Sequence, residues 1–272
     1  MLLSTTTAHA EMDHSHMHHG DMHGMDHSTH AADTTPDESG LRDPHAYAEG
    51  YGFGDLEHPK MGDEENFASL IVDRLESQIS DSGAGITYDA QAWYGKTYDR
   101  LVLRVEGRGS HDDIDDARNE ILWGHALTPF WDSHLGLRYD AGIGTDRPWF
   151  AFGFQGLAPY WIYVEATGYI GEEGRAAFRL ETEYDILLSQ KLYLQPRLEV
   201  NIYSQNDKSR AVSAGLSDIE AGVRLHYEIV REFAPYVGVE WDARFGTAAD
   251  AMAAQGVSTE VLQLVAGVKF WF

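Results

Sequence analysis

The chain has 272 residues, 44 acidic and 20 basic side chains, a formal net charge of −24 and no cysteine. That excludes a disulfide scaffold and thiolate metal sites, argues against nucleic-acid binding, which needs basic patches, and favours attraction of cations. No run of eighteen apolar residues occurs, which excludes a transmembrane helix but not a β-barrel, whose strands each carry a weak apolar signal.

The first ten residues lack a basic segment and a full apolar segment. Ala8-His9-Ala10 nevertheless fits a signal-peptidase site, and the start reads as the tail of an export signal. Residues 9–30, HAEMDHSHMHHGDMHGMDHSTH, are of low complexity and hold eight of the 14 His and four of the seven Met. With almost no apolar content to offset ordering entropy, this tract is expected to be disordered without a ligand. Its ligand set is Met12, His14, His16, Met17, His18, His19, Met22, His23, Met25, His27 and His30. Imidazole suits Cu(II), Zn and Ni, and soft thioether suits Cu(I), so interleaved Met without Cys points to copper in both oxidation states. Residues 31–45 form a polar linker, completing a leader over 1–45. Residues 46–66 read as an irregular lead-in or plug, where His58 and Met61 extend the candidate ligands.

From residue 67 onward the pattern changes to period two. About twelve strand-like segments follow, at 67–78, 85–95, 98–108, 116–127, 131–143, 148–157, 160–170, 175–188, 190–204, 216–230, 232–246 and 259–272. The clearest is 190–204. Leu192, Leu194, Leu198, Val200 and Ile202 alternate with Tyr193, Gln195, Arg197, Glu199 and Asn201, giving one apolar and one polar face. At ~3.3 Å per residue such a strand reaches ~40 Å, more than a tilted membrane-spanning strand needs. Very short connections, such as Thr128-Pro129-Phe130, alternate with longer polar ones, such as QNDKSRAVSAG. An even number of antiparallel strands with loops segregated this way is the layout of an outer-membrane barrel. Trp93, Tyr94, Tyr98, Phe130, Trp131, Tyr160, Trp161, Phe233 and Tyr236 gather beside the short turns as an interfacial girdle. The last strand ends on Phe272, as barrel-assembly signals do. The sequence therefore predicts an all-β, antiparallel transmembrane barrel over 67–272 behind a disordered Met/His-rich leader.

If the apolar set meets lipid, Arg100, Arg104, Glu106, Arg108, Arg179, Glu181, Glu183, Arg197, Glu199, Arg224, Glu240 and Asp242 enter the lumen. Opposite charges in neighbouring rows suggest a narrow lumen crossed by salt bridges, with excess carboxylate favouring cations. His125 and His134 flank the Thr128-Pro129-Phe130 turn, where two imidazoles at one mouth would suit copper; interfacial hydrogen bonding is the alternative. His226 is a further candidate ligand in the lumen. No nucleophile–base pair, phosphate loop or H-E-x-x-H helix is present, so the sequence offers no enzyme.

The stretches ASLIVDRLE (68–76), DAQAWYG (89–95), YDRLVLRVEG (98–107), EILWGHALTPFWD (120–132), QGLAPYWIYVEATGYIG (155–171), FRLETEYDILLSQKLYLQPRLEVN (178–201) and GLSDIEAGVRLHYEIVREFAPYVGVEW (215–241) resemble the copper-resistance protein B family. The Met/His leader resembles that family too. The resemblance implies a monomeric barrel in the outer membrane of a Gram-negative bacterium, in contact with lipid, with its leader in the periplasm. It implies copper as the bound substrate, efflux or sequestration as the route to resistance, and a periplasmic multicopper oxidase as a partner. A passive metal store anchored in the membrane and a soluble secreted β-protein with a metal-binding tail are the alternative expectations.

Overall fold

The computed structural model describes residues 65–80, 83–110 and 114–272. The predicted leader, linker and nearly all of the lead-in lie outside them, as do His58 and Met61. Strands run in chain order as β1 (Phe67–Ser80), β2 (Gly83–Gly95), β3 (Asp99–Gly109), β4 (Ile114–Thr128), β5 (Trp131–Gly142), β6 (Arg147–Ala158) and β7 (Ile162–Gly171). They continue as β8 (Ala176–Glu183), β9 (Ile186–Leu187), β10 (Leu192–Tyr203), β11 (Gly215–Tyr227), β12 (Phe233–Arg244) and β13 (Glu260–Trp271). Each pairs antiparallel with its neighbour, and β1 closes the ring on β13, with Ile71 opposite Trp271. Both β8 and β9 pair with β10, so they are two pieces of one stave and the closed barrel has twelve. Among the described residues no helix is long and apolar enough to cross a membrane.

The alternation read from the sequence sets which way each side chain faces. On β5 Leu137 is 65% exposed while its neighbour Arg138 is 7% exposed. On β10 Leu198 is exposed between buried Arg197 and buried Glu199. Phe150, Phe152 and Phe154 on β6, and Leu262 and Leu264 on β13, continue an apolar outer band. So large a contiguous apolar surface, wrapped around a charged interior, is the polarity of a protein whose outer solvent is lipid. Inside, Val102, Leu122, Trp149, Ala151 and Tyr169 pack into one small apolar cluster against the inner wall of β3, β4, β6 and β7.

Several local features differ from the sequence reading. The β1–β2 connection is only residues 81–82, because strand pairing extends to Ser80 and Gly83. Two loops are genuinely long, 204–214 and 245–259, and both lie at the end opposite the start of β1 and the end of β13. The second contains α1 (Gly246–Ala254), an Ala-rich segment of high helix propensity where the sequence reading has only a polar connection. Its Ala248 N–H donates to Ser213 Oγ at 2.9 Å and Thr247 Oγ1 to Asn206 Oδ1 at 2.9 Å, so α1 seats the 204–214 loop. Of the girdle residues, Tyr94, Tyr98, Phe130, Tyr160, Trp161 and Phe233 are exposed near the short turns. Tyr236 instead shares the inward parity of Glu240 and is 4% exposed, its hydroxyl donating to Glu76 at 3.0 Å. Trp93 lies on the inward parity of Thr87, with Arg100 over its ring.

Candidate functional site: the charged lumen

Much of the inward face sets arginine opposite carboxylate, and the narrow ring lets long side chains reach across it. Arg197 on β10 holds Glu181 on β8 through two parallel hydrogen bonds, Nε at 3.1 Å and Nη2 at 3.0 Å. Arg224 on β11 grips Glu76 on β1 the same way, at 3.0 and 2.9 Å, and also contacts Glu240. Such fork-to-fork pairs are the strongest form of the arginine–carboxylate bond. Two sets of contacts cross the lumen from β3. Arg108 meets Glu220 at 2.8 Å and Asp242 at 3.4 Å on β11 and β12. Glu106 accepts from Arg74 on β1 at 2.9 Å and from Arg179 on β8 at 3.1 Å, and it contacts Arg118 on β4. The salt-bridged interior expected from the sequence is thus present.

These contacts divide the lumen into two open spaces. One, of about 340 Å³, faces the short turns and the start of β1 and is lined among others by Asp73, Glu165, Glu181, Glu183, Asp185 and Lys269. The other, of about 570 Å³, faces the long loops and is lined among others by Asp116, Asp218, Asp242, Arg244 and Met252 of α1. In both, carboxylates outnumber basic side chains. The larger mouth is strapped by the 204–214 loop. Asp207 receives Arg147 at 2.8 Å and Arg175 at 3.4 Å, and Arg210 reaches Asp116 and the carbonyl of Thr145. Burial pushes the Asp207 carboxyl up, but hydrogen bonds from Ser209 and Arg147 outweigh it and hold it below the usual carboxylate range.

A group of potential metal ligands, Glu220, Glu240 and Asp242, has oxygens within 4.8 Å of one another. Arg108 already sits among them and supplies the positive charge. The three described histidines are separate. His226 is 1% exposed, stacked on Tyr193 at 4.6 Å with Tyr236 tilted against its other side at 4.5 Å, and has no hydrogen-bond partner on either ring nitrogen among the described residues. His134 faces inward and shares a 2.9 Å bond with Thr167. His125 faces outward, where its Nδ1 lies 2.8 Å from Asp99, a carboxylate that also accepts from Trp123 Nε1. His125 and His134 therefore lie beside the same turn with their rings on opposite faces of the wall. A two-residue turn without irregularity would place them opposite each other. The register shift between Ala126 and Thr128 pairs His125 with Ser133 instead, and turns the two rings to opposite faces of the wall. The sequence reading missed the linking role of Glu106, which alternation places inside but cannot match to its partners.

The fold and the interior together define an outer-membrane-type β-barrel whose lumen is filled by ion pairs rather than left as a wide pore. NanC porin, a solved barrel, superposes with a TM-score of 0.50 at 12% identity, covering 74% of this chain and 98% of that one, a likeness of fold alone. The family model described as Copper resistance protein B precursor (CopB) matches residues 66–272. Copper resistance protein B of Escherichia coli is 42% identical over 220 residues, covering 81% of this chain and 74% of that protein. The Copper resistance protein B homolog of Pseudomonas syringae pv. tomato is 42% identical over 203 residues, covering 75% and 69%. The chain belongs to the copper resistance protein B family, and copper resistance at the outer membrane is its field of action.

Proposed function

We propose that this barrel serves copper resistance by capturing periplasmic copper on its Met/His tract and handing it to the lumen. Residues 1–45 are then a metal-binding leader and linker, 46–66 a lead-in or plug, and 67–272 the membrane barrel, which works as a monomer. Met12, Met17, Met22 and Met25 hold Cu(I), and His14, His16, His18, His19, His23, His27 and His30 hold Cu(II). Copper is cargo here, and a periplasmic multicopper oxidase is the partner that the family implies. The observation carrying this reading is the carboxylate-rich space at the end of the barrel where the chain enters β1. A cation released by the leader meets a favourable potential there. That end has the short turns, which in outer-membrane barrels face the periplasm.

The ion pairs across the lumen favour a second reading, in which copper is held at the leader and the barrel anchors it. Copper flux into liposomes, measured for the full chain and for a chain lacking residues 9–30, separates the two. Leader-dependent flux supports delivery through the lumen. Leader-dependent binding without flux supports storage, and copper binding that survives the deletion overturns both.

A further inference from the structure

The two spaces in the lumen share two lining residues, Glu106 and Arg118. Glu106 stands on β3 and reaches Arg179 on β8, which faces β3 across the ring, five staves away along the shorter arc. Its two carboxylate oxygens take separate loads, Oε1 from Arg74 and Oε2 from Arg179 and Arg118. One carboxylate thus holds three guanidinium groups from three other staves. Three like charges converging on one point separate once the negative charge between them is gone. Arg179 has alternative acceptors in Glu199 at 2.7 Å and Glu181 on its own side of the lumen. Arg74 has Asp89 at 3.1 Å. Without Glu106, Arg74 and Arg179 are drawn back toward opposite walls.

We propose that Glu106 decides passage between the two halves of the lumen. With its three arginines it closes the route, and a cation that exchanges for one of them on its carboxylate opens it. This deepens the delivery reading given above and rests on it for the identity of the cargo. The closure itself is testable without copper. Full-length protein is reconstituted into planar bilayers, and single-channel conductance and reversal potential are recorded in a potassium chloride gradient. Wild type is expected to conduct weakly. Glu106→Gln is expected to raise conductance severalfold, with potassium preferred over chloride because carboxylates remain in excess on both sides. Arg118→Gln is expected to raise it as well, and serves if Glu106→Gln does not assemble, since Arg118 has few other partners. Glu120 is equally part of the interior and is held by Tyr169 at 2.8 Å, but it lines neither space. Glu120→Gln should leave conductance at the wild-type level, so a rise there too would mark general loosening and overturn the assignment. Porin-like conductance in wild type, or no rise in either Glu106→Gln or Arg118→Gln, would also overturn it. Copper binding by the leader is scored independently in the deletion experiment, so failure of one leaves the other standing.

Discussion

Adjacent residues in this wall meet opposite solvents, and substitutions at neighbouring positions should behave as different mutations. Leu198 faces the lipid and Gln195 the lumen, where its amide donates to Asp185 at 3.0 Å. Leu198→Arg is expected to destabilise by about 2–4 kcal/mol near the bilayer midplane. Gln195→Arg adds a charge beside Glu183 and Asp185 and should be accommodated. Heat-modifiable gel mobility of the two variants checks the contrast, and equal tolerance would refute the assigned faces. In the leader, imidazole binds metal only when neutral, with an ordinary pKa of about 6.5, whereas thioether does not titrate. Cu(II) should therefore be released as pH falls through ~6, while Cu(I) persists. Replacing the four Met by Leu should weaken Cu(I) selectively, and replacing the His by Gln should weaken Cu(II). Competition titrations at two pH values measure both, and identical profiles for the two ions would make the methionines mere spacers. Facing was legible from the sequence because period two survives wherever register does. That His125 and His134 turn to opposite faces was not legible, because one extra residue in β4 shifts pairing without leaving a turn signal in the chain.

Of the connecting elements, the 204–214 loop is tied down at several points, and Asp207 is its anchor. Asp207→Asn removes the charge that Arg147 and Arg175 converge on and should free the loop. Protease cleavage within 204–214 at neutral pH is the readout, and unchanged resistance would show that α1 alone suffices. The pH dependence has a definite sign. A carboxyl whose folded pKa is lowered contributes stability above its unfolded value of about 3.9, lost as pH falls through the folded one. The Asp207 contribution is thus present at pH 5, and only stronger acid should free the loop. Strands were legible almost to the residue, as with 190–204 against Leu192–Tyr203. The helix was not, because GTAADAMAA looks like any small-residue connection until Ser213 and Asn206 give its first turn acceptors.

For the molecule as a whole, removing residues 9–30 should sharply lower copper stoichiometry while the barrel still assembles, since the tract contains none of its strands. Retained heat-modifiable mobility together with lost copper binding is the expected result, and unchanged stoichiometry would place the ligands elsewhere. The charged interior was legible as a set of residues but not as a set of partners. Arg108 and Glu220 are 112 positions apart and Arg224 and Glu76 are 148 apart, and only ring closure brings them together.

That separation also orders events in time. A chain that has formed β1 to β8 already carries Arg108 and Glu76, but their partners Glu220, Asp242 and Arg224 arrive only with the last third of the sequence. A partly built sheet therefore leaves Arg108 and Glu76 without those partners on one side and bare hydrocarbon on the other, and neither water nor lipid suits both. Since β1 bonds to β13, the meeting of the first strand and the last is what brings Arg224 to Glu76. A chain shortened at its carboxyl end would be left without a resting place in either the periplasm or the membrane, and should be degraded rather than stored half-made.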